Sequence, residues 1–228
     1  LNLPHFQESS SVALAIFDLD NTLLNGDSDH AWGEFLCQHN YVDAEEYDRL
    51  NNLFYQQYEA GVMDINEFLA FALAPLAANS RETLNRWHQQ YMEERIEPMM
   101  LTKAAALLEK HRQQGDFLLI ITATNRFVTQ PIADRLGVDA MLATEPEEID
   151  GRYTGAVAGT PCYQAGKVTR LKEWLAGNQH DLDGSYFYSD SHNDLPLLQL
   201  VAHPHAVNPD ARLREHAEQH NWPVLDLR

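Results

Sequence analysis

The residues best suited to chemistry come early, in Asp18-Leu-Asp20-Asn-Thr22, directly after the apolar run Val12–Phe17. Six apolar residues in a row predict a short buried strand rather than a self-supporting helix. Residues i and i+2 of a strand share a face, so Asp18 and Asp20 are expected to point the same way at its carboxyl end. That edge of an open α/β sheet is where ligands bind. Two carboxylates held so close repel each other unless a cation sits between them or one is put to chemical use.

Three further polar positions fall at the ends of predicted strands, on the same sheet edge. Thr122 follows the predicted strand Phe117–Ile121, where its hydroxyl can donate to a phosphate oxygen or cap the next helix. Asn125 and Arg126 stand in the loop beyond it. Lys167 follows Ala165-Gly166 in the first turn of a predicted helix, an unfavourable place for a cation. It is either a solvated surface lysine or a group that neutralises phosphate or a carboxylate nucleophile. The glycine spacing before it does not make a phosphate loop. Finally, Tyr186-Phe-Tyr-Ser-Asp190-Ser-His-Asn193-Asp194 ends a short aromatic strand in two acids. Asp18 and Asp190 can supply the one or two carboxylates that an octahedral Mg²⁺ site wants. Asp194 also suits an N-cap, since Leu195-Pro196 begins a helix. His192 has no second His at metal-ligand spacing and reads as a solvated loop residue.

The elements that position these groups form two textures. Between residues 27 and 97 no strand is expected. A helix capped near Asp27-Ser28, one over Ala44–Ala60, one capped by Asp64 and one from Ser80 to about Ile96 carry apolar residues at helical spacing, and Pro98 closes the block. From Met100 onward predicted helices and strands alternate, with a hairpin turning on Asp150-Gly151. This implies a doubly wound, mostly parallel α/β sheet. The expected division is a Rossmann-like core of residues 1–26 plus 98–228 and an inserted all-helical unit of 27–97.

Composition narrows the function. The chain has 228 residues, 44% of them hydrophobic, which suits one good-sized core. A formal charge of −18 argues against nucleic acid or an anionic membrane as partner. An anionic substrate must therefore be drawn in by a local positive site. The two cysteines, Cys37 and Cys162, suggest no disulfide framework. The start Leu1–Glu8 has no leader-like pattern and no run approaches a membrane span, so a cytoplasmic location is expected. Oligomeric state is not readable from the sequence.

Taken together and in this order, Asp18/Asp20/Thr22, Thr122, Lys167 and Asp190/Asp194 resemble the four motifs of the haloacid dehalogenase superfamily. The helical insert resembles that superfamily's type-one cap, and Asp190-Ser-His-Asn-Asp194 is similar to the phosphoserine-phosphatase-like branch, subfamily IB. The resemblance implies a Mg²⁺-dependent phosphatase acting on a small phosphorylated metabolite. It implies Asp18 as nucleophile and Asp20 as general acid and base. It also implies a metal held by Asp18, the carbonyl of Asp20 and Asp190, with Thr122 and Lys167 on the phosphoryl oxygens. Asp194 would orient Lys167 or the metal's waters, and Asn193 would support the phosphate. A phosphotransferase on the same fold, in which an alcohol replaces water, shares every one of these residues. A phospho-accepting signalling module is disfavoured by the long insert and by the placement of Asp18-x-Asp20.

Two departures bear on substrate. Where phosphoserine phosphatases place a Glu for the substrate amine, this chain has the shorter Asp27. The stretch Asp64–Ala72 shows no Arg to take a substrate carboxylate. Residues 27–97 hold fourteen Asp and Glu, four Arg and no Lys. Most of that charge is expected on solvated helix faces. The remainder favours neutral or cationic leaving groups, as in histidinol phosphate or amino-alcohol phosphates, over phosphoserine. Asp27 and Arg126 are the candidate substrate contacts.

Overall fold

A computed structural model describes residues 12–228. The segment Leu1–Glu8, read above as lacking a leader, lies outside the described residues. Strand β1 (Leu14–Phe17) is fully buried and pairs in parallel with β2 (Phe117–Asn125) on one side and β5 (Tyr186–Ser189) on the other. Strands β3 (Ala140–Ile149), β4 (Arg152–Ala158), β6 (His203–Val207) and β7 (Val224–Leu225) complete a seven-stranded sheet. Its order is β4-β3-β2-β1-β5-β6-β7, parallel throughout except for the β3–β4 hairpin. β1 sits in the middle, which is why it reads as an unbroken apolar run.

Strand periodicity divides the core in two. Ala15, Phe17, Leu118 and Ile120 join one buried cluster, and Leu14, Ile16, Leu119 and Ile121 join the other. The first cluster packs against helices α1 (Ser28–Gln38), α3 (Ile65–Ala78), α4 (Arg81–Tyr91), α5 (Thr102–Gln114) and α6 (Arg126–Leu136). The second packs against α7 (Ala165–Gly177), α8 (Leu195–Leu198) and α9 (Ala211–Gln219). Helices cover both faces, as the doubly wound reading expects.

Helices α1, α2 (Ala44–Ala60), α3 and α4 lie between β1 and β2 in the chain. Each starts at a polar cap whose side chain accepts backbone N–H bonds: Asp27, Asp43, Asp64 and Ser80. Part of the acidity of this stretch is therefore helix capping. The expected fourth helix reaches Ile96, but its last turn widens to a π-helix over Met92–Ile96 before a 3₁₀ turn over Glu97–Met99. The β3–β4 hairpin packs against α3, with Arg81 stacked 4.3 Å from the ring centre of Tyr153. Among the described residues no helix is long and apolar enough to cross a membrane, and both cysteines are free.

Three expectations need correction. β2 runs on to Asn125, so Thr122 lies inside the strand, which continues through a register shift between Ile121 and Asn125. The helix expected to begin at Leu195-Pro196 is only the four residues of α8, preceded by a 3₁₀ turn over His192–Asp194. β1 ends at Phe17, so Asp18 and Asp20 do not share a strand face. Leu19 O instead accepts from the amides of Thr22, Leu23 and Leu24, turning the chain and separating the two carboxylates' surroundings.

Candidate active site

The alternation of β1 carries Asp18 toward the α7 side of the sheet, and Lys167 meets it there. The Lys167 ammonium donates to Asp18 Oδ1 and to Asp194 Oδ2, both at 2.7 Å. All three residues are at most 4% exposed. Gly166 lets the first turn of α7 approach so closely, because a Cβ there would lie 2.1 Å from the carbonyl oxygen of Pro161. Burial alone would strip the ammonium of its proton, but the two carboxylates outweigh it and push the Lys167 pKa up. The unfavourable helix position is thus offset by two anions, and the solvated-lysine reading is excluded. Asp194 does not cap α8; its Oδ2 also accepts from Ser189 Oγ at 2.7 Å.

Thr22 links the first motif to the last. Its amide-facing oxygen accepts from Asp190 N at 3.1 Å. The same hydroxyl oxygen, which carries a single proton, lies 3.4 Å from Asp18 Oδ2 and 3.3 Å from Asp190 Oδ1. One proton can serve only one of these two acids at a time. Burial raises the Asp18 carboxyl to about 7 against the pull of Lys167, with Asp194 and Asp20 adding repulsion. Burial, then Asp18 and Asp194, push Asp190 well above the carboxylate range. Asp18 keeps Lys167, but Asp190 has no cationic donor among the described residues, so the pair is short of positive charge, which is the condition a divalent cation relieves. Among the described residues no three His, Cys, Asp or Glu side chains gather into a metal-binding group. A metal here must therefore rest on Asp18 and Asp190 with backbone, water or substrate oxygens. That all-oxygen donor set fits Mg²⁺.

Asp20 stands apart. Its Oδ1 accepts from Ser28 N at 2.7 Å and its Oδ2 from Thr124 Oγ1 at 2.8 Å. Burial and then Asp27 raise its carboxyl to about 7, while Ser28 and Thr124 hold it down. Thr122 is fully buried, and its Oγ1 accepts from Thr124 N at 3.2 Å. Asn125, not Thr122, caps α6. The sequence singles out Ser28 only as part of a helix cap, and Thr124 not at all. The β2 extension that brings Thr124 in gave no local signal.

Asn193 joins the sheet edge to the helical insert. Its Nδ2 donates to Tyr58 O at 3.1 Å, and its Oδ1 accepts from Gln164 Nε2 at 2.9 Å. His192 is not solvated: Asp210 Oδ2 lies 2.8 Å from its Nδ1. Asp27 caps α1, with Oδ1 accepting from Asp29 N and His30 N. Burial raises the Asp27 carboxyl to about 6. Arg126 is placed elsewhere. Its guanidinium is held by Glu145, Gln130 and the carbonyl of Met141, and it lines a different groove. An acid on β3, distant in sequence, captures it.

Asp18, Asp20, Asp27 and Thr122 all line one cavity, which Phe54, Tyr55 and Phe68 of the insert also line. No Lys or Arg is among its lining residues.

The family model of haloacid dehalogenase-like hydrolases matches residues 15–199. A histidinol-phosphatase of Neisseria meningitidis serogroup C (strain 8013) is 47% identical over 219 residues, covering 94% of this chain and 99% of its own. A crystal structure of a protein of unknown function from Bordetella pertussis Tohama I has a TM-score of 0.89 and 44% identity, covering 95% of this chain and 99% of its own. A substrate-bound phosphoserine phosphatase shares the fold, with a TM-score of 0.69 at 15% identity over 95% of this chain and 93% of its own. With four motifs at one sheet edge and a family match across most of its length, the chain belongs to the haloacid dehalogenase-like hydrolases and is a phosphatase of the phosphoserine-phosphatase-like kind.

Proposed function

We propose that the chain is a Mg²⁺-dependent phosphomonoester hydrolase that works through an aspartyl-phosphate on Asp18. The observation that carries this reading is the buried Lys167 ammonium bridging Asp18 and Asp194 at 2.7 Å each, beside that cavity. A buried cation so placed fixes the Asp18 carboxylate for attack and supplies positive charge to the phosphoryl oxygens. Asp18 attacks phosphorus, and the phosphorus–oxygen bond to the leaving alcohol breaks as Asp20 protonates that oxygen. Asp20 then takes a proton from water, which attacks the acyl phosphate and frees Asp18 and inorganic phosphate. A carboxyl raised to about 7 is matched to giving and taking protons near neutrality. Ser28 N and Thr124 Oγ1 aim it. Thr122 donates to a phosphoryl oxygen, Asn193 supports the loop, and Asp194 holds Lys167 in place. Mg²⁺ bound by Asp18, the carbonyl of Asp20 and Asp190 would offset the repulsion between carboxylate and phosphate.

Residues 27–97 serve as a cap on a core formed by the rest of the chain, limiting water during the first step. The substrate is a small phosphate ester of an amine-bearing alcohol, with histidinol phosphate the leading candidate. The name of the Neisseria relative and the acidic, aromatic, arginine-free cavity support this choice.

The test is phosphate release from a panel of metabolite phosphates with Mg²⁺, run beside Asp18→Asn. Turnover of amine-bearing esters by the parent and none by the variant is expected. A variant as fast as the parent on an aryl phosphate would remove Asp18 from the mechanism.

A further inference from the structure

Four carboxylates line the cavity, and three have partners. Asp18 is held by Lys167, Asp20 by Ser28 N and Thr124, and Asp27 by the first amides of α1. Asp29, in the first turn of α1, differs. It is half-buried and opens onto the cavity, and no donor among the described residues reaches its side chain. Burial, then Asp27 and Asp20, push its carboxyl well above the usual range, with no hydrogen bond to offset them.

A half-buried acid that faces a cavity without a protein donor is left for water or a ligand to satisfy. The position at a helix N-terminus favours a negative charge but does not bond the carboxylate oxygens. The surroundings supply no cation either. Phe54, Phe68 and the tilted His30–Tyr55 ring pair, whose centroids are 4.7 Å apart, line the same cavity. A ligand that fills the cavity therefore suits an apolar or aromatic body with a positive group to meet Asp29.

We infer that Asp29 is the specificity-determining residue that receives the cationic end of the leaving group, selecting phosphate esters whose alcohol carries an ammonium or a protonated nitrogen heterocycle. This rests on the phosphatase reading above. It assigns the selection to Asp29 rather than to Asp27, whose Oδ1 is committed to capping α1.

The experiment compares kcat/KM for L-histidinol phosphate and for p-nitrophenyl phosphate, with Mg²⁺, in the parent, Asp29→Asn and Asp29→Glu. Asp29→Asn is expected to lower the ratio of the two values about tenfold or more, the size of a lost charged hydrogen bond. Asp29→Glu should recover part of the ratio, which a merely structural role would not do. A ratio that is the same in parent and Asp29→Asn overturns the inference. Should Asp29→Asn not fold, the parent decides the matter through inhibition of p-nitrophenyl phosphate turnover by O-phosphoethanolamine and by its neutral isostere, propyl phosphate. Binding of the ammonium ester at least about tenfold tighter is expected, and equal binding overturns the inference. A parent silent on every ester sinks the phosphatase reading and this inference with it. Turnover without preference for the cation sinks this inference and the amine-bearing substrate, and leaves the phosphatase reading standing.

Discussion

The sheet wall and the helical wall of the cavity face each other but are held in opposite ways. On the sheet wall every polar group is bonded to another: Lys167 to Asp18 and Asp194, Asp194 to Ser189, Thr22 to Asp190, and Asp20 to Ser28 and Thr124. On the helical wall the side chains are mostly rings, and Asp29 meets no donor among the described residues. The first wall is preorganised to act on a phosphoryl group, whose charge and shape are the same in every ester. The second is left incomplete, so that the leaving group finishes it. Substitutions on the sheet wall should therefore reduce turnover of all esters together, and those on the helical wall should change which ester is preferred.

The largest expected break is Asp18→Asn. Removing the nucleophile should lower phosphate release from every ester by at least about 10³-fold. Lys167→Met should come next, at about 10²- to 10³-fold in kcat/KM. It should also lose roughly 3 kcal/mol of stability at neutral pH, because Asp18 and Asp194 are left buried without their partner. Denaturant unfolding of the metal-free variant measures the second effect. A Lys167→Met protein that keeps parental turnover would mean that the bridging ammonium is only structural.

Metal and pH test the charge shortage. Asp18 and Asp20 each rise from an ordinary 3.8 to about 7 on folding. The folded protein then holds protons that the unfolded chain has released. This contribution to stability is complete below 3.8 and is lost as pH rises through about 7. Mg²⁺ binds better as those protons leave. The gap in Tm between Mg²⁺-loaded and EDTA-treated protein should widen by several degrees between about pH 5 and pH 8. Histidine titrations shift both samples alike, so a gap that stays constant or narrows would contradict the assigned metal site.

Smaller effects sharpen the contrast. Thr124→Val removes one of two donors to Asp20. It should lower kcat about tenfold with KM little changed, and move the apparent pKa assigned to Asp20 upward in the rate profile. Arg126→Gln should change kcat/KM by no more than about twofold, because its guanidinium is engaged by Glu145 outside the cavity.

The same division explains what could be read from the sequence. Asp18, Lys167, Asp190 and Asp194 announced themselves locally, each as a charged residue beside a short apolar strand or in an awkward helix position. The alternating elements that carry them were equally visible, because burial on both faces leaves an unbroken apolar run such as Leu14–Phe17. Other features depend on contacts far apart in the chain. Thr124 reaches Asp20 across 104 positions, and Arg126 was a plausible phosphate contact until Glu145, 19 residues on, claimed it. The turn bonded to Leu19 O could not be foreseen either, and it gave Asp18 and Asp20 separate partners where strand geometry had predicted a shared face. The isolation of Asp29 is a property of what does not surround it, which no local pattern encodes.

The central claim is that phosphate passes through Asp18. Asp20→Asn, which cannot activate water, should accumulate the covalent intermediate when mixed with Mg²⁺ and p-nitrophenyl phosphate. Acid quenching and peptide mass mapping should then place a phosphoryl group on the peptide that contains Asp18. A phosphoryl group on any other residue, or release of nitrophenol in more than one equivalent with Asp18 never labelled, would contradict the account.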